Sequence, residues 1–493
     1  MPGQETLQEV ELHPAVQPAT ETQRRSWAVL VLLCAAQFMV ILDVTVVNVA
    51  LPSIGRSLHF AAGDLQWVIT AYVLLSGGLV LLGGRASDLA GRRRVFLTGL
   101  GVFTAASLAS GLAPSAAALI AARAGQGLGA ALLTPAALSI ITAAYSGAQR
   151  AAALSTWAAI GSGGAAAGVL AGGMLTTWLG WRSIFLVNVP VGLIAALLSV
   201  KLVPRFARAP RTARGFDLPG ALLAVGGLAS AVYALAGAPT HGWGSPRTLL
   251  LLALAVGLLA AFAVAERAAR RPLLPPSTWR NRSLVAGASV MLGATGLLVG
   301  TFFLNSLFLQ EVQGASALRV GLEFLPLVVV IGVAAHLASR LMPRAGSRVL
   351  AAAGLLVMGV GAILLSGAAA GSGYFTWLLP GLLVVGAGTG LVFPAASVTA
   401  MNDVTGDSAG LASGLMTAVH EIGAAIGVAV FSAIGTAAAV GGLTFGRPDV
   451  IALTTGYRHG FTIAAGIAFG LAVIAFLAMP AVRPAGNARM AVH

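Results

Sequence analysis

Apolar residues run along the chain in blocks of twenty or more, broken by short polar or arginine-bearing stretches. Within a block such as Leu249 to Val264 the polarity does not alternate. About twenty apolar residues at helical rise cross a hydrocarbon core ~30 Å thick. A barrel strand would alternate with a period of two, and open sheet edges find no partners in lipid. The pattern therefore predicts an all-α integral membrane protein. Its fourteen spans fall at roughly 27 to 50, 64 to 83, 94 to 112, 116 to 144, 149 to 179, 183 to 202, 217 to 238, 246 to 266, 283 to 310, 319 to 341, 347 to 369, 375 to 400, 408 to 438 and 457 to 480.

Composition agrees, because 58% hydrophobic and 9% charged residues in a chain of 493 cannot build a water-facing surface. A net charge of +14 would suggest nucleic acid in a soluble protein, but its distribution points to topology instead. Of the 29 Lys and Arg, 22 fall on one set of loops and 6 on the other, with Arg123 inside a span. By the positive-inside rule this places both termini in the cytoplasm of a multi-pass cell-membrane protein. Residues 1 to 26 hold Glu5, Glu9, Glu11, Glu21 and three prolines with no apolar run, and read as a disordered tail. No cleavable signal is recognised ahead of the first span, which is expected to serve as its own insertion signal. The single cysteine, Cys34, excludes a disulfide framework and a cysteine-based metal site. No phosphate-binding glycine loop with lysine occurs, and the one lysine is Lys201. An ATP-driven pump within this chain is thereby excluded, no cofactor or nucleic-acid partner is expected, and ion gradients remain as the energy source.

The longest internal polar stretches, 203 to 216 and 267 to 282, isolate the seventh and eighth spans. The expected organisation is a tail at 1–26, a six-helix bundle at 27–203, two additional helices at 204–282, a second six-helix bundle at 283–481 and a tail at 482–493. One feature repeats between the bundles. Arg85 to Arg94 after the second span corresponds, 255 positions on, to Arg340 to Val349 after the tenth. Internal repeats of this kind build secondary transporters whose halves rock about a central site.

The repeated segment begins Gly83-Gly-Arg-Ala-Ser-Asp-Leu-Ala-Gly-Arg-Arg-Arg94. A plain topogenic loop would show the same charge. The full pattern, Gly84, Asp88, Gly91, Arg92 and Arg93 with Arg85 between them, resembles the loop signature of the major facilitator superfamily. In that family the loop acts as a cytoplasmic latch between bundles. Leu42-Asp-Val-Thr-Val-Val-Asn-Val-Ala-Leu-Pro52 resembles the first-helix signature of its fourteen-helix drug:proton antiporter branch, and Trp67 to Leu74 is similar to the next segment of that branch. Arg123 to Ala131 resembles the fourth-helix motif, and Trp181 to Pro190 the start of the sixth helix. The resemblance covers nearly the whole chain. It implies a transporter rather than an enzyme, exporting hydrophobic or cationic small molecules in exchange for protons by alternating access.

The charged residues within spans carry a separate argument. Asp43 and Arg123 lie at similar depth, about 11 Å from the outer end of their helices at ~1.5 Å per residue. Either would be costly on a lone helix, so they face protein or water and can pair, as a static structural bridge or as part of proton coupling. Glu421 lies near the middle of the thirteenth span with no opposite charge within a helical turn. A carboxylate there is costly to ionise, so it can hold a proton near neutral pH and release it when hydrated. The competing reading is a neutral, hydrogen-bonded Glu. The antiporter branch shows a Gln-like position here, so a proton role for Glu421 rests on its chemistry alone. His420 points about 100° away and is either a second titrating group or a His satisfied by a neighbouring helix.

Gly161, Gly164, Gly168 and Gly172 form a small-residue stripe on the fifth span, with Gly173 beside it, permitting close helix approach. Antiporters of the superfamily carry a matching glycine motif with a proline where this chain has Val169. Gln37, Gln126 and Asn305 are polar within spans and are candidates to line the cavity, as is His420 for substrate contact; interhelical hydrogen bonding is the alternative. Glu311 and Glu323 sit near helix ends and are expected to be solvated. With so few charges in its spans the cavity is expected to be apolar and its cargo drug-like. The expected carrier is monomeric in the lipid bilayer. An uptake carrier on the same fold is the nearest rival; an enzyme or channel is further off, since the seven His are scattered.

Overall fold

In the computed structural model the described residues are 21–60, 64–145, 147–204, 217–269, 272–367, 369, 371–404, 409–441, 443–444, 447–448 and 450–482. Fourteen long helices run in order along the described chain: α1 Glu21–Leu58, α2 Trp67–Ala90, α3 Arg92–Gly111, α4 Ala116–Ala144, α5 Gly147–Leu179, α6 Ser183–Leu202, α7 Leu218–His241 and α8 Pro246–Ala268. The second series is α9 Arg282–Leu307, extended by a π-helical turn Phe308–Val312, α10 Ala317–Ala345, α11 Ser347–Ser366, α12 Tyr374–Met401, α13 Ala409–Gly441 and α14 Val450–Ala478. Thirteen are long and apolar enough to cross a membrane, and α5 adds the shorter apolar stretch Gly163–Leu179. The remainder is a short helix Pro276–Arg280 and one antiparallel pair, Leu443–Thr444 with Arg447–Pro448.

Lipid offers no hydrogen bonds, so helix ends are closed by local side chains. Ser115, Asp217, Ser245, Asn281 and Ser316 accept from the first-turn N–H groups of α4, α7, α8, α9 and α10. The helices run longer than the apolar blocks suggested. α1 begins at Glu21, so the last six residues of the expected tail are helical, while residues 1 to 20 lie outside the described part, as do 483 to 493. α2 continues to Ala90, which puts Gly84, Arg85 and Asp88 on a helix rather than in a loop. α14 starts at Val450, seven residues before the expected 457.

The first six helices pack among themselves, α4 lying against both α2 and α3, α1 against α5, and α6 against α3 and α1. The last six do likewise, α11 against α12 and α14, α9 against α13, and α10 against α12. Glycines allow the closest approaches. A Cβ on Gly83 would strike the Ala131 carbonyl of α4, and one on Gly427 the backbone of Gly296. The two sets meet along two seams, α2 with α13 and α5 with α10. Helix α7 lies across the first seam against both α13 and α2, and α8 packs on α7.

Gly427→Leu is expected to lower stability by about 1–3 kcal/mol, because the side chain has only the Gly296 backbone to enter. Gly163→Ala, where a Cβ meets nothing within 4 Å, should leave Tm unchanged. Fluorescence-detected thermal melts in detergent compare the two, and equal Tm values would refute the packing argument.

Candidate functional site

The first set of helices closes around a buried polar cluster. Asp43 of α1 and Arg123 of α4 are each 1% exposed, and the guanidinium Nη1 donates to Asp43 Oδ2. Asp43 Oδ1 accepts from Gln126 Nε2 and from Asn188 Nδ2, both at 2.9 Å. Arg123 Nε donates to the Val68 carbonyl of α2 at 2.8 Å, and its Nη1 also reaches Gln126 Oε1 at 2.9 Å. Ser107 and Ser110 of α3 complete the shell of Gln126 at 2.8 and 3.0 Å. The ring of Tyr72 lies 4.4 Å from the guanidinium carbon, adding a cation–π contact. Both carboxylate oxygens are thus satisfied, and the pair is sealed from solvent. Sequence reasoning brought Asp43 and Arg123 together but missed Asn188, although it stands within the motif Trp181 to Pro190.

Glu421 occupies a different setting. It sits on α13, half-buried, where the seam with α2 is tightest: a Cβ on Gly77 would meet Glu421 Cβ and the Ala418 carbonyl. The Ser76 hydroxyl, on the facing helix α2, donates to the Val73 carbonyl of its own helix at 3.4 Å. The ion pairs among the described residues are Arg123–Asp43 and Arg319–Glu323, so Glu421 has no cation among them. His420, on the neighbouring face, has Nδ1 3.1 Å from Thr295 Oγ1 of α9 and meets Phe393 of α12 edge-on at 5.7 Å. Arg123 and Glu421 therefore belong to separate sites, one inside the first set of helices and one between the two sets.

Three expectations need correction. Gln126 is fully buried in the Asp43 cluster and does not line a cavity. Asn305 is 1% exposed and donates to the Thr301 carbonyl of its own helix at 2.9 Å, so it too is withdrawn from a cavity. Glu323 is not solvated: it is 8% exposed and bound by Arg319 at 2.7 Å, one turn away. Gln37 is half-buried, 3.4 Å from Thr134 of α4. Glu311 accepts from the Tyr457 hydroxyl at 2.9 Å.

The repeated segments have matching geometry. Gly91 ends α2 at φ 98° and Gly346 ends α10 at φ 78°, both in the region that favours glycine. Arg93 donates to the Val200 carbonyl at the end of α6, and Arg348, 255 positions later, donates to the Met479 carbonyl beyond α14 at 2.6 Å. Each arginine pins the start of its helix to the close of the last helix in its set. Asp88 is exposed beside Gly91, and Arg92 lies at the same turn. The glycine motif of α5 serves two partners. Gly164, Gly168 and Gly172 face Phe38 to Val46 of α1, while Gly173 faces Ala317 and Leu318 of α10. α5 stays helical through Val169.

The model of the Major Facilitator Superfamily matches residues 33–428. Puromycin resistance protein pur8 of Streptomyces alboniger is 42% identical over 465 residues, covering 91% of this chain and 90% of its own. The cephamycin export protein CmcT of Amycolatopsis lactamdurans is 38% identical, covering 94% and 95%. Among solved structures, a bacterial homolog of the human lysosomal transporter Spinster, inward-facing and unoccupied, superposes with a TM-score of 0.66 at 19% identity, over 94% of this chain and 98% of that one. The POT family transporter PepTSo gives 0.64 at 16%, over 92% and 97%. These two establish likeness of fold.

Arg123→Met leaves Asp43 buried without its cation, and a stability loss of about 3–5 kcal/mol is expected. Adding Asp43→Leu should recover part of that loss, measured as a coupling energy in a double-mutant cycle of thermal stabilities. Additive losses would mean that the two side chains do not depend on one another.

Proposed function

The chain belongs to the major facilitator superfamily of transporters, and we propose that it exports hydrophobic or cationic drug-like molecules, antibiotics among them, in exchange for protons. The observation that carries the coupling is Glu421: an acid without a cation among the described residues, set between the two sets of helices against Gly77 of α2. Ionising such a group in a dry seam is costly and ionising it in water is not. Protonation therefore favours the packed α2/α13 seam, and proton release favours a hydrated one. A proton and a cargo that compete for this site cannot travel in the same direction, which gives antiport. His420 and Phe393 beside it, and the pair Gln37 and Thr134 in the first set, are half-buried and offer aromatic and weakly polar contacts suited to drug-like cargo.

Asp43 and Arg123 support this as a rigid anchor, with Asp43 a secondary proton site opened only if the cluster around Gln126 loosens. Residues 27–203 and 283–481 act as two six-helix bundles that rock against each other, with 204–282 carrying the two added helices. The basic end, marked by Arg92 to Arg94, Arg344 and Arg348, faces the cytoplasm of the cell membrane together with both termini. There Gly84, Arg85, Asp88, Gly91 and Arg92 latch the bundles, with Arg93 holding the start of α3 to α6. Supporting export over uptake are the relatives themselves, named for resistance or export. The carrier works as a monomer.

In proteoliposomes, Glu421→Gln is expected to abolish drug-driven proton movement while still binding drug, read with a trapped pH dye. Asp43→Asn should reduce transport in parallel with stability. Normal proton exchange by Glu421→Gln would remove Glu421 from the mechanism.

A further inference from the structure

Pro52 lies inside α1 and has no N–H, so the carbonyl four residues earlier, that of Asn48, has no helical donor. A bare carbonyl away from water needs a partner. Here the partner comes from the other set of helices. Ser306 of α9 donates its hydroxyl to the Asn48 carbonyl at 3.1 Å, and Gln310 donates Nε2 to the neighbouring Val49 carbonyl at 3.0 Å. Gln310 Nε2 also reaches Ser306 Oγ at 3.2 Å, which directs the serine proton toward Asn48. Both side chains are buried, and Gln310 stands in the π-helical turn Phe308–Val312, a local widening that sets its direction.

The same end of the molecule holds other poorly satisfied groups. Asn48 Oδ1, both amide atoms of Gln66, Thr70 Oγ1, Thr176 Oγ1 and Asn305 Oδ1 are buried without a hydrogen-bond partner among the described residues. All five residues lie toward the end opposite the basic loops, on α1, α5 and α9 and at the start of α2. Buried unpaired polar groups are unfavourable, and water relieves them. This end is thus held by a few directed bonds and opposed by groups that gain from hydration.

We propose that Ser306 and Gln310, docked on the α1 carbonyls beside Pro52, form the latch that keeps the outer end of the carrier shut. Breaking it admits water to Gln66, Thr70 and Asn305, and the cargo leaves through this polar mouth. The proposal rests on the alternating-access reading above.

Cys34 is the only cysteine, so a Cys34→Ala background carrying Thr70→Cys reports opening through labelling by a membrane-impermeant maleimide added outside intact cells. Ser306→Ala is expected to raise the labelling rate about fivefold, the equivalent of one hydrogen bond, and Ser306→Ala with Gln310→Leu to raise it further. Ser306→Thr keeps the hydroxyl and should label like the parent. Should the double variant fail to accumulate, Ser306→Ala alone decides. Unchanged labelling, or an equal rise with Ser306→Thr, overturns the latch. Loss of the latch with export intact in the parent leaves the transport reading standing, whereas a parent that exports nothing defeats that reading instead.

Discussion

The bridge between Asp43 and Arg123 is the contact on which the first set of helices depends. Through Arg123, Gln126, Asn188 and the Val68 carbonyl it joins α1, α2, α3, α4 and α6 at one depth. Such a cluster is stable only when complete, because each removed partner leaves a charge or dipole dry. It gives the α2 backbone a fixed place, and α2 in turn presents Gly77 to Glu421. The rigid cluster and the solitary acid are therefore mechanically connected while remaining chemically distinct.

The contrast between the two acids comes from their partners. Asp43 has both carboxylate oxygens bonded, to Arg123, Gln126 and Asn188. Glu421 sits where two bodies meet, and its surroundings differ whenever that boundary loosens. Gly77 makes the boundary close: with any larger residue there, α13 would be pushed off α2.

Much of this was legible in the chain. The helix count and order came from apolar block length, since lipid permits few alternatives. The pairing of Asp43 with Arg123 came from equal depth, and the repeat at 255 positions anticipated two equivalent turns, realised at Gly91 and Gly346. What depth alone did not reveal was lateral direction. Gln126 and Asn305 are polar residues within spans and looked like cavity groups, yet each turns to a partner within its own set or its own helix. Glu323 was placed by its position near a helix end, whereas Arg319 one turn earlier draws it inward. Helix boundaries were short wherever polar residues continue a helix past its apolar block, as in Arg85 to Ala90.

Helix α7 has a consequence for how a greasy molecule reaches the acid. Val225 fills the space beside Gly78, one residue from the glycine that touches Glu421, and Tyr233 packs on Trp67 at 5.8 Å. On that flank the bilayer is walled off by an added helix, itself backed by α8. Anything dissolved among the acyl chains meets protein there, whereas the α5/α10 seam has no added helix laid across it.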